Sequence, residues 1–245
     1  MGNMTQRPAD VEPNWSVSGG DHHPDTEYTI YTVVHRPAGS PAPADLSNAT
    51  ARIDDVIAAH PEVTLRGFYD LSNLHEHADL MVWVHGKDLA PLQDFMRDLR
   101  TTPLFENLDV TWQVPGVHVA AEFNRMHAPA FLVGDKPLTW LCTYPFVRHA
   151  DWYLMDGKER AVHLREHGMA ASKFEGILAN TVACFGMSNY EWMLAFEAED
   201  PTQIVDLMRA MRYTQARRWM KHETPFFFGR RCETSELAKI LRYEA

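Results

Sequence analysis

Two histidines four residues apart, His163 and His167, bracket a glutamate in a segment with helical spacing. A His-x-x-Glu-His helix puts both imidazoles on one face, where they could bind zinc as in one class of peptidases. With 13 histidines in 245 residues the match arises easily by chance, and no further ligand pattern follows it. The simpler interpretation puts His163 on the solvent face and His167 at the helix end, with Gly168 as the C-terminal cap.

A histidine that projects from a helix end can also serve as an axial ligand to heme iron. Taken alone, His167 is more simply a structural histidine, so iron binding needs independent support. A strand-like segment upstream offers two further candidates, Tyr144 and Arg148. Tyr144 is either a core phenol or a redox-active or substrate-binding one. Arg148 is either a surface charge or a carboxylate-binding group.

The elements that must position these residues recur along the chain. Residues 93–100 and 205–212 share an Asp, a Met and two Arg in register, and Ser72-Asn73 recurs as Ser188-Asn189. Strand and helix periodicities around these landmarks give the order βαββαβ in each half, which is ferredoxin-like. The sequence therefore predicts an α+β protein of two ferredoxin-like repeats in one chain, with antiparallel sheets packed together and helices outside.

The repeats and the segments around them have predicted boundaries. We expect a flexible N-terminal tail at residues 1–25 and a structural first repeat at residues 26–119. A connecting segment should follow at residues 120–137, and a second repeat that carries the chemistry at residues 138–245. The tail is polar and rich in Gly, Pro and Asp, too poor in apolar surface to order itself. The first repeat has no counterpart of His167, which is why we assign it a structural role.

Two local expectations concern the second repeat. Its last helix should run from Pro201 to Trp219 with Asp200 as the N-terminal cap. Alternate side chains of its first strand, which include Tyr144, should share one face by the period of two that strands have. These residues are Trp140, Cys142, Tyr144 and Phe146.

Composition and charge exclude several classes of protein. The formal net charge of −10 argues against general nucleic-acid binding, which needs a basic face. No apolar run approaches the ~20 residues of a membrane span, and the N-terminus lacks the features of a secretion signal. Three widely spaced cysteines without a Cys-x-x-Cys pair indicate buried thiols in a reducing compartment. We therefore expect a cytoplasmic protein that binds no nucleic acid and has no membrane span.

Four segments together resemble the chlorite dismutase-like superfamily, and within it the actinobacterial coproheme decarboxylases. The segments are Thr143–Arg148, Trp152-Tyr153, Glu166–Met169 and Pro225–Arg231, and the resemblance extends over about residues 28–243. It implies an enzyme of heme biosynthesis whose substrate and redox centre is iron coproporphyrin III (coproheme). Hydrogen peroxide would be the oxidant, a tyrosyl radical the intermediate, and heme b the product after two propionates lose CO2.

The resemblance also assigns roles to individual residues. His167 matches the proximal iron ligand, and Tyr144 matches the tyrosine that takes a hydrogen atom from the propionate. His127, in the connecting segment, matches the distal base of the actinobacterial branch. The remaining matches are Arg148 near a reactive propionate, Trp152 in the porphyrin pocket and Arg217 at a propionate or on the distal side. The family's usual assembly is a homopentamer, and a transient contact with a ferrochelatase is conceivable.

One departure from the family's pattern shifts a role, and several alternatives stay open. Related Firmicutes enzymes have a distal glutamine where this chain has Asn180, so weight shifts to His127 as the distal residue. Chlorite dismutases need a distal arginine. The sequence assigns no residue to that role here, and Arg217 and Arg218 stay open as candidates. A chlorite dismutase or heme peroxidase on the same scaffold is therefore one alternative. A non-catalytic heme or porphyrin carrier is another.

Overall fold

A computed structural model describes residues 26–118 and 128–243 of the chain. The first repeat consists of β1 (Glu27–His35), α1 (Leu46–Ala59), β2 (Thr64–Asp70), β3 (Leu80–Gly86), α2 (Leu89–Arg100) and β4 (Asp109–His118). The second consists of β5 (Trp140–Arg148), α3 (Ala150–Leu154), α4 (Gly157–Ala171), β6 (Leu178–Ala183), β7 (Trp192–Ala198), α5 (Pro201–Met211), β8 (Met220–His222) and β9 (Phe227–Cys232). A short helix α6 (Leu237–Ile240) follows, and 3₁₀ turns lie at Gln215–Trp219 and Thr234–Glu236. The βαββαβ order is confirmed in both halves.

The strands of the two repeats form one closed barrel. Neighbouring strands follow the order β4-β1-β3-β2 in the first repeat and β6-β7-β5-β9 in the second, the same antiparallel arrangement read from opposite edges. The repeats join through β4 and β6 at Val117 and Ala183, and through β2 and β9 from Phe68 to Asp70. The predicted pair of packed antiparallel sheets is therefore confirmed, with the addition that their edges pair and leave a shared interior.

Three apolar cores follow from this closure. The barrel interior contains side chains from both repeats, among them Tyr31, Trp83, Leu141 and Met193. The outer face of the first sheet packs against α1 and α2, and the outer face of the second packs against α5. Helix α6, although last in sequence, adds Leu237 to the first repeat's outer core. Helices lie outside the barrel, so a residue's strand phase decides whether it faces the interior or a helix.

A buried polar network fixes the segment that precedes β5. The carboxylate of Glu197, fully buried on β7, accepts hydrogen bonds from Arg66 Nη2 at 2.8 Å, Asn180 Nδ2 at 3.1 Å and the Leu138 amide at 3.1 Å. Asn180 Oδ1 in turn accepts the Phe131 amide at 3.0 Å. Burial raises the pKa of Glu197 in spite of these partners. Each buried polar group here is paired, as a low-dielectric interior requires.

Two local predictions in the second repeat are wrong. Helix α4 continues through Gly168 to Ala171, and the Ser172 amide bonds to the Gly168 carbonyl. The residues after Gly168 are good helix formers, so one glycine does not end the helix. Helix α5 stops at Met211 instead of Trp219. Just after this end, Thr214 Oγ1 donates to the Met211 carbonyl at 3.0 Å, and the chain continues as the 3₁₀ segment. The predicted N-cap at Asp200 is confirmed by its bond from the Thr202 amide at 2.8 Å.

Two expectations from composition can be compared with the structure. All three cysteines are buried and free of disulfides, as predicted. Within residues 26–118 and 128–243, no helix has both the length and the apolarity of a membrane-crossing segment.

Candidate active site

The outer face of β5 carries the phenol singled out from the sequence. Trp140, Cys142, Tyr144 and Phe146 all lie in the core between the second sheet and α5, so the predicted shared face is confirmed. Tyr144 is 4% exposed, and its ring centroid is 4.4 Å from that of Phe226. Its hydroxyl donates to the sulfur of Met208 on α5 at 3.6 Å. The phenol is thus packed among apolar groups with a soft, poor acceptor beside it.

The electrostatic surroundings of Tyr144 keep its proton in place. Burial raises its pKa well above the usual range, and the negative charge of Glu223 raises it further. Arg148 and Arg212 act in the opposite direction without reversing the shift. At neutral pH the side chain is therefore a neutral phenol with an intact O–H bond. Such a group can give up its hydrogen only together with an electron.

Arg148 ends β5 and is buried, not a surface charge. It is 6% exposed, and its Nη1 donates to the Ala216 carbonyl at 3.1 Å. The guanidinium lies over the ring of Trp152, 4.3 Å from the centroid, in a cation–π contact. Its backbone amide donates to Glu191 Oε2 at 2.7 Å, which fixes the end of the strand. A planar cation held this way suits carboxylate recognition.

Trp152 is the centre of a small apolar cluster beside α4. It is fully buried and packs with Met155 and Ala216. The ring of His163 lies 6.5 Å from that of Trp152 and 6.3 Å from that of Trp219. The expectation that His163 faces solvent is therefore wrong, because the two indole faces provide a packing site for its imidazole.

His167 lies on α4, and its surroundings fit a ligand to iron. Its Nδ1 is buried and has no hydrogen-bond partner within the described ranges. Burial lowers the pKa of His167, the positive charge of Arg148 lowers it further, and Glu166 acts against both. The imidazole is therefore neutral at neutral pH, the form that binds metals. Arg148 is near enough to both side chains for its charge to lower the pKa of His167 and that of Tyr144.

Helix α4 presents apolar side chains to solvent. It has no buried residue, whereas α5 buries Ile204, Leu207 and Met211. Two of its apolar side chains, Val162 and Met169, are 59% and 64% exposed. These two exposed side chains could contact one face of a flat apolar ligand such as a porphyrin.

Two further arginines lie at the edge of this site. Glu223 Oε2 is 3.1 Å from Arg212 Nη1 and 3.4 Å from Arg217 Nη2. The glutamate side chain is 11% exposed and the Arg217 side chain 37%. Glu223 also raises the pKa of Tyr144, so its ion pair with the predicted residue Arg217 links that arginine to the surroundings of the tyrosine.

Of the predicted residues, Arg148 contacts Trp152 directly, and its charge acts on the pKa of Tyr144 and of His167. His127, the predicted distal base, lies outside the described residues. Asn180 faces the barrel interior and uses both ends of its amide in the Glu197 network. It is therefore unavailable on the helix side.

Sequence reasoning missed several residues that contact this group. Glu191 Oε2 accepts the Tyr153 hydroxyl at 2.8 Å, and Trp192 Nε1 donates to the same hydroxyl at 3.2 Å. Met208 could have been suspected, because it recurs in the internal repeat on a helix that must face β5. Nothing in the local sequence distinguishes Glu191 or Glu223. Each is important only because the fold places it next to a segment distant in sequence.

The chain is similar in sequence or in fold to several known proteins. The model of the family described as chlorite dismutase matches residues 46–232. The coproheme decarboxylase of Mycolicibacterium smegmatis is 43% identical over 203 residues, which cover 80% of this chain and 88% of that protein. The coproheme decarboxylase of Thermus thermophilus is 26% identical over 107 residues, 42% of this chain and 43% of that protein. Among solved structures, the chlorite dismutase of Candidatus Nitrospira defluvii in complex with imidazole aligns with a TM-score of 0.77 at 18% identity, covering 88% of this chain and 95% of that one. At that identity the likeness concerns the fold.

Proposed function

The chain belongs to the chlorite dismutase family, and we propose that it converts coproheme to heme b. Each of two propionates would lose CO2 and two hydrogens to become a vinyl group. The observation that carries the proposal is the buried Arg148, which lies over Trp152 and is near enough to lower the pKa of both the Tyr144 phenol and the His167 imidazole. The similarity to a coproheme decarboxylase supports the same reaction.

The residues of the site divide the work between binding and hydrogen transfer. His167 would hold the iron of the substrate through its neutral imidazole. Arg148, and more peripherally Arg217, would bind propionate carboxylates, for which a planar guanidinium is well shaped. Trp152 would support Arg148 from below through its ring. The uncovered side of α4 would contact the porphyrin.

Tyr144 would act as the hydrogen-atom relay. Its raised pKa keeps the O–H intact until an oxidising equivalent arrives. Loss of an electron and a proton together leaves a neutral radical, which can take a hydrogen atom from the propionate chain. Phenylalanine could not do this, since it lacks a transferable hydrogen.

Hydrogen peroxide is the proposed oxidant. When bound, the iron porphyrin supplies the redox chemistry that turns peroxide into an oxidising equivalent. His127 would take the proton that peroxide must lose, for which an imidazole with a pKa near ~6.5 is suitable. The balance per propionate is one carboxylate, one peroxide and one proton giving one vinyl group, one CO2 and two waters.

The decisive experiment mixes the protein with ferric coproporphyrin III and adds peroxide in steps. Mass spectrometry should show two successive losses, each equal to CO2 plus two hydrogens. Peroxide consumption with an unchanged porphyrin would indicate a heme peroxidase, and rapid decomposition of chlorite would indicate a chlorite dismutase. Tight binding without any reaction would indicate a carrier. Each of these three results would contradict the proposal.

We further propose the cellular setting that the family resemblance implies. The protein would act in the cytoplasm as a homo-oligomer, with a pentamer as the expected assembly. It would receive coproheme from the preceding iron-insertion step, through transient contact with a ferrochelatase. Light scattering coupled to size-exclusion chromatography tests the subunit number, and a monomer at micromolar concentration would contradict it.

A further inference from the structure

Helix α4 has no fully buried residue; Leu164, Ala170 and Ala171 pack against neighbouring apolar clusters while partly exposed, and polar contacts add to this attachment. Its N-cap, Asp156, accepts the Lys158 amide at 2.9 Å and stabilises the first turn. One turn later, Arg160 Nη1 donates to the carbonyls of Trp152 and Tyr153 at 3.2 and 3.3 Å. Both contacts lie in the first half of the helix, well before the residue that would bind iron.

The half of α4 that carries His167 has a different attachment. Glu166, the residue directly before His167, accepts the backbone amide of Gln215 at 3.0 Å through Oε2. Gln215 begins the 3₁₀ segment that follows α5. The contact joins a side chain to the backbone across 49 residues of sequence. Because a backbone amide moves only with its segment, this bond ties the helix to the segment itself.

The same 3₁₀ segment is also tied to Arg148. The Ala216 carbonyl, one residue beyond Gln215, accepts Arg148 Nη1 at 3.1 Å. Ala216 is itself buried beside Trp152. Two consecutive residues therefore connect the iron-side helix with the arginine on β5. We call residues 215–219 the strap.

We propose that Glu166 is a positioning residue, which sets the His167 imidazole by fixing α4 to the strap and, through the strap, to Arg148. The inference rests on the proposed function, in which His167 binds the iron and Arg148 a substrate carboxylate. A metal bond demands a defined distance and ring orientation, so residues that orient a ligand contribute to metal affinity without touching the metal. The strap makes the iron ligand and the carboxylate anchor parts of one connected unit.

Glu166 can act through its hydrogen bond or through its charge, and two variants separate these effects. Glu166→Gln keeps an acceptor oxygen for the Gln215 amide and removes the charge. Glu166→Ala removes both. Glu159→Ala serves as the matched control, since Glu159 is an acidic residue of the same helix whose side chain is 60% exposed.

The measurement is binding of ferric coproporphyrin III and of metal-free coproporphyrin III, with the absorption spectrum of each complex. For Glu166→Ala we expect about 10-fold weaker binding of the iron porphyrin, the scale seen when a residue that orients a metal ligand is lost. Its ferric Soret band should shift, whereas affinity for the metal-free porphyrin should change by less than about 2-fold. Glu166→Gln and Glu159→Ala should both resemble the unchanged protein. Thermal unfolding of each variant verifies that it is folded.

Three results would overturn the inference. Equal losses for both porphyrins would mean that Glu166 only maintains the pocket. Equal losses in Glu166→Gln and Glu166→Ala would mean that charge, and not the bond to Gln215, is important. No loss in Glu166→Ala would mean that the strap does not position His167. None of these readouts needs turnover, so a protein that binds as expected without decarboxylating would refute the proposed function and leave this inference intact.

Discussion

Helices α1 and α4 occupy the same place in the two repeats and differ in what holds them. Helix α1 buries Ala49, Ile53 and Val56 against the first sheet. Helix α4 has no fully buried residue, packs through partly buried side chains such as Leu164 and Ala171, and is tied to neighbouring segments by Arg160 and Glu166. Under the proposed function, the first repeat uses its helix for stability, whereas the second leaves part of its helix surface for a ligand. A duplicated fold can support chemistry in one copy because the other supplies the rigid frame.

The first strands of the repeats show a second difference. Tyr31 and Tyr144 are each the fifth residue of their strand. Tyr31 faces the barrel interior, whereas Tyr144 faces the helices. Burial raises the pKa of both phenols. The position of a tyrosine along its strand therefore does not predict its role. Whether the phenol can contact a ligand depends on which face of the sheet its side chain lies on.

The largest expected effect compares these two tyrosines. Tyr144→Phe should lower decarboxylation by about 100-fold or more, the scale lost when a group that moves a proton is removed. Binding of ferric coproporphyrin should change little, because the ring and its packing remain. The measurement is product formed per peroxide added, followed by mass spectrometry.

Tyr31→Phe is the matched control for that variant. Its hydroxyl is buried without a hydrogen-bond partner in the described part of the chain, so its removal should alter the free energy of unfolding by no more than about 1 kcal/mol. Turnover should be unaffected. Comparable losses of activity in the two variants would refute the special role of the helix-side phenol.

An intermediate effect is expected from truncating apolar residues of the two helices. Ile53→Ala on α1 should lower the free energy of unfolding by about 2–5 kcal/mol, since Ile53 is fully buried. Val162→Ala on α4 should change it by less than about 0.5 kcal/mol, because the side chain is 59% exposed. Urea unfolding of the porphyrin-free protein provides both values. Similar losses would show that α4 contributes to stability in the same way as α1.

A smaller, pH-dependent effect is expected at the start of the first repeat. Burial would raise the pKa of Glu27, but the hydrogen bond and charge of His85, with Lys87, outweigh it and lower the pKa below 4.5. The carboxylate therefore contributes stability above pH 4.5 that is lost as the pH falls through the lowered value. Glu27→Gln should reduce the melting temperature more at pH 7 than at pH 3. A reduction of equal size at both pH values would contradict the assignment.

The sequence predicted most of the elements, because strand and helix periods are local properties. The repeat landmarks located α2 and α5, and the period of two placed Tyr144 on the same face as Phe146. Local signals failed at two helix ends. Gly168 suggested a helix end that the structure lacks, and Trp219 was predicted to lie in a helix that ends at Met211.

The candidate site was predicted in part for the same reason. His167, Tyr144 and Arg148 could be singled out by residue type and by resemblance. Their neighbours Glu191 and Glu223 could not, since each reaches the site from a distant segment. Asn180 illustrates the converse: its place in the sequence suggested a distal role, but its strand phase turns it into the barrel, where Glu197 and Phe131 hold it.

By itself the sequence determined the two βαββαβ units, the buried thiols and the residue types able to bind iron, carry a hydrogen atom and bind a carboxylate. Those properties depend on neighbours a few positions away. Only the tertiary structure decided that the sheets close into a barrel, that Arg148 is buried over Trp152, and that Glu166 ties α4 to the strap. Such features depend on which segments, distant in sequence, come into contact when the chain folds. The burial and the electrostatics of the site follow from those contacts.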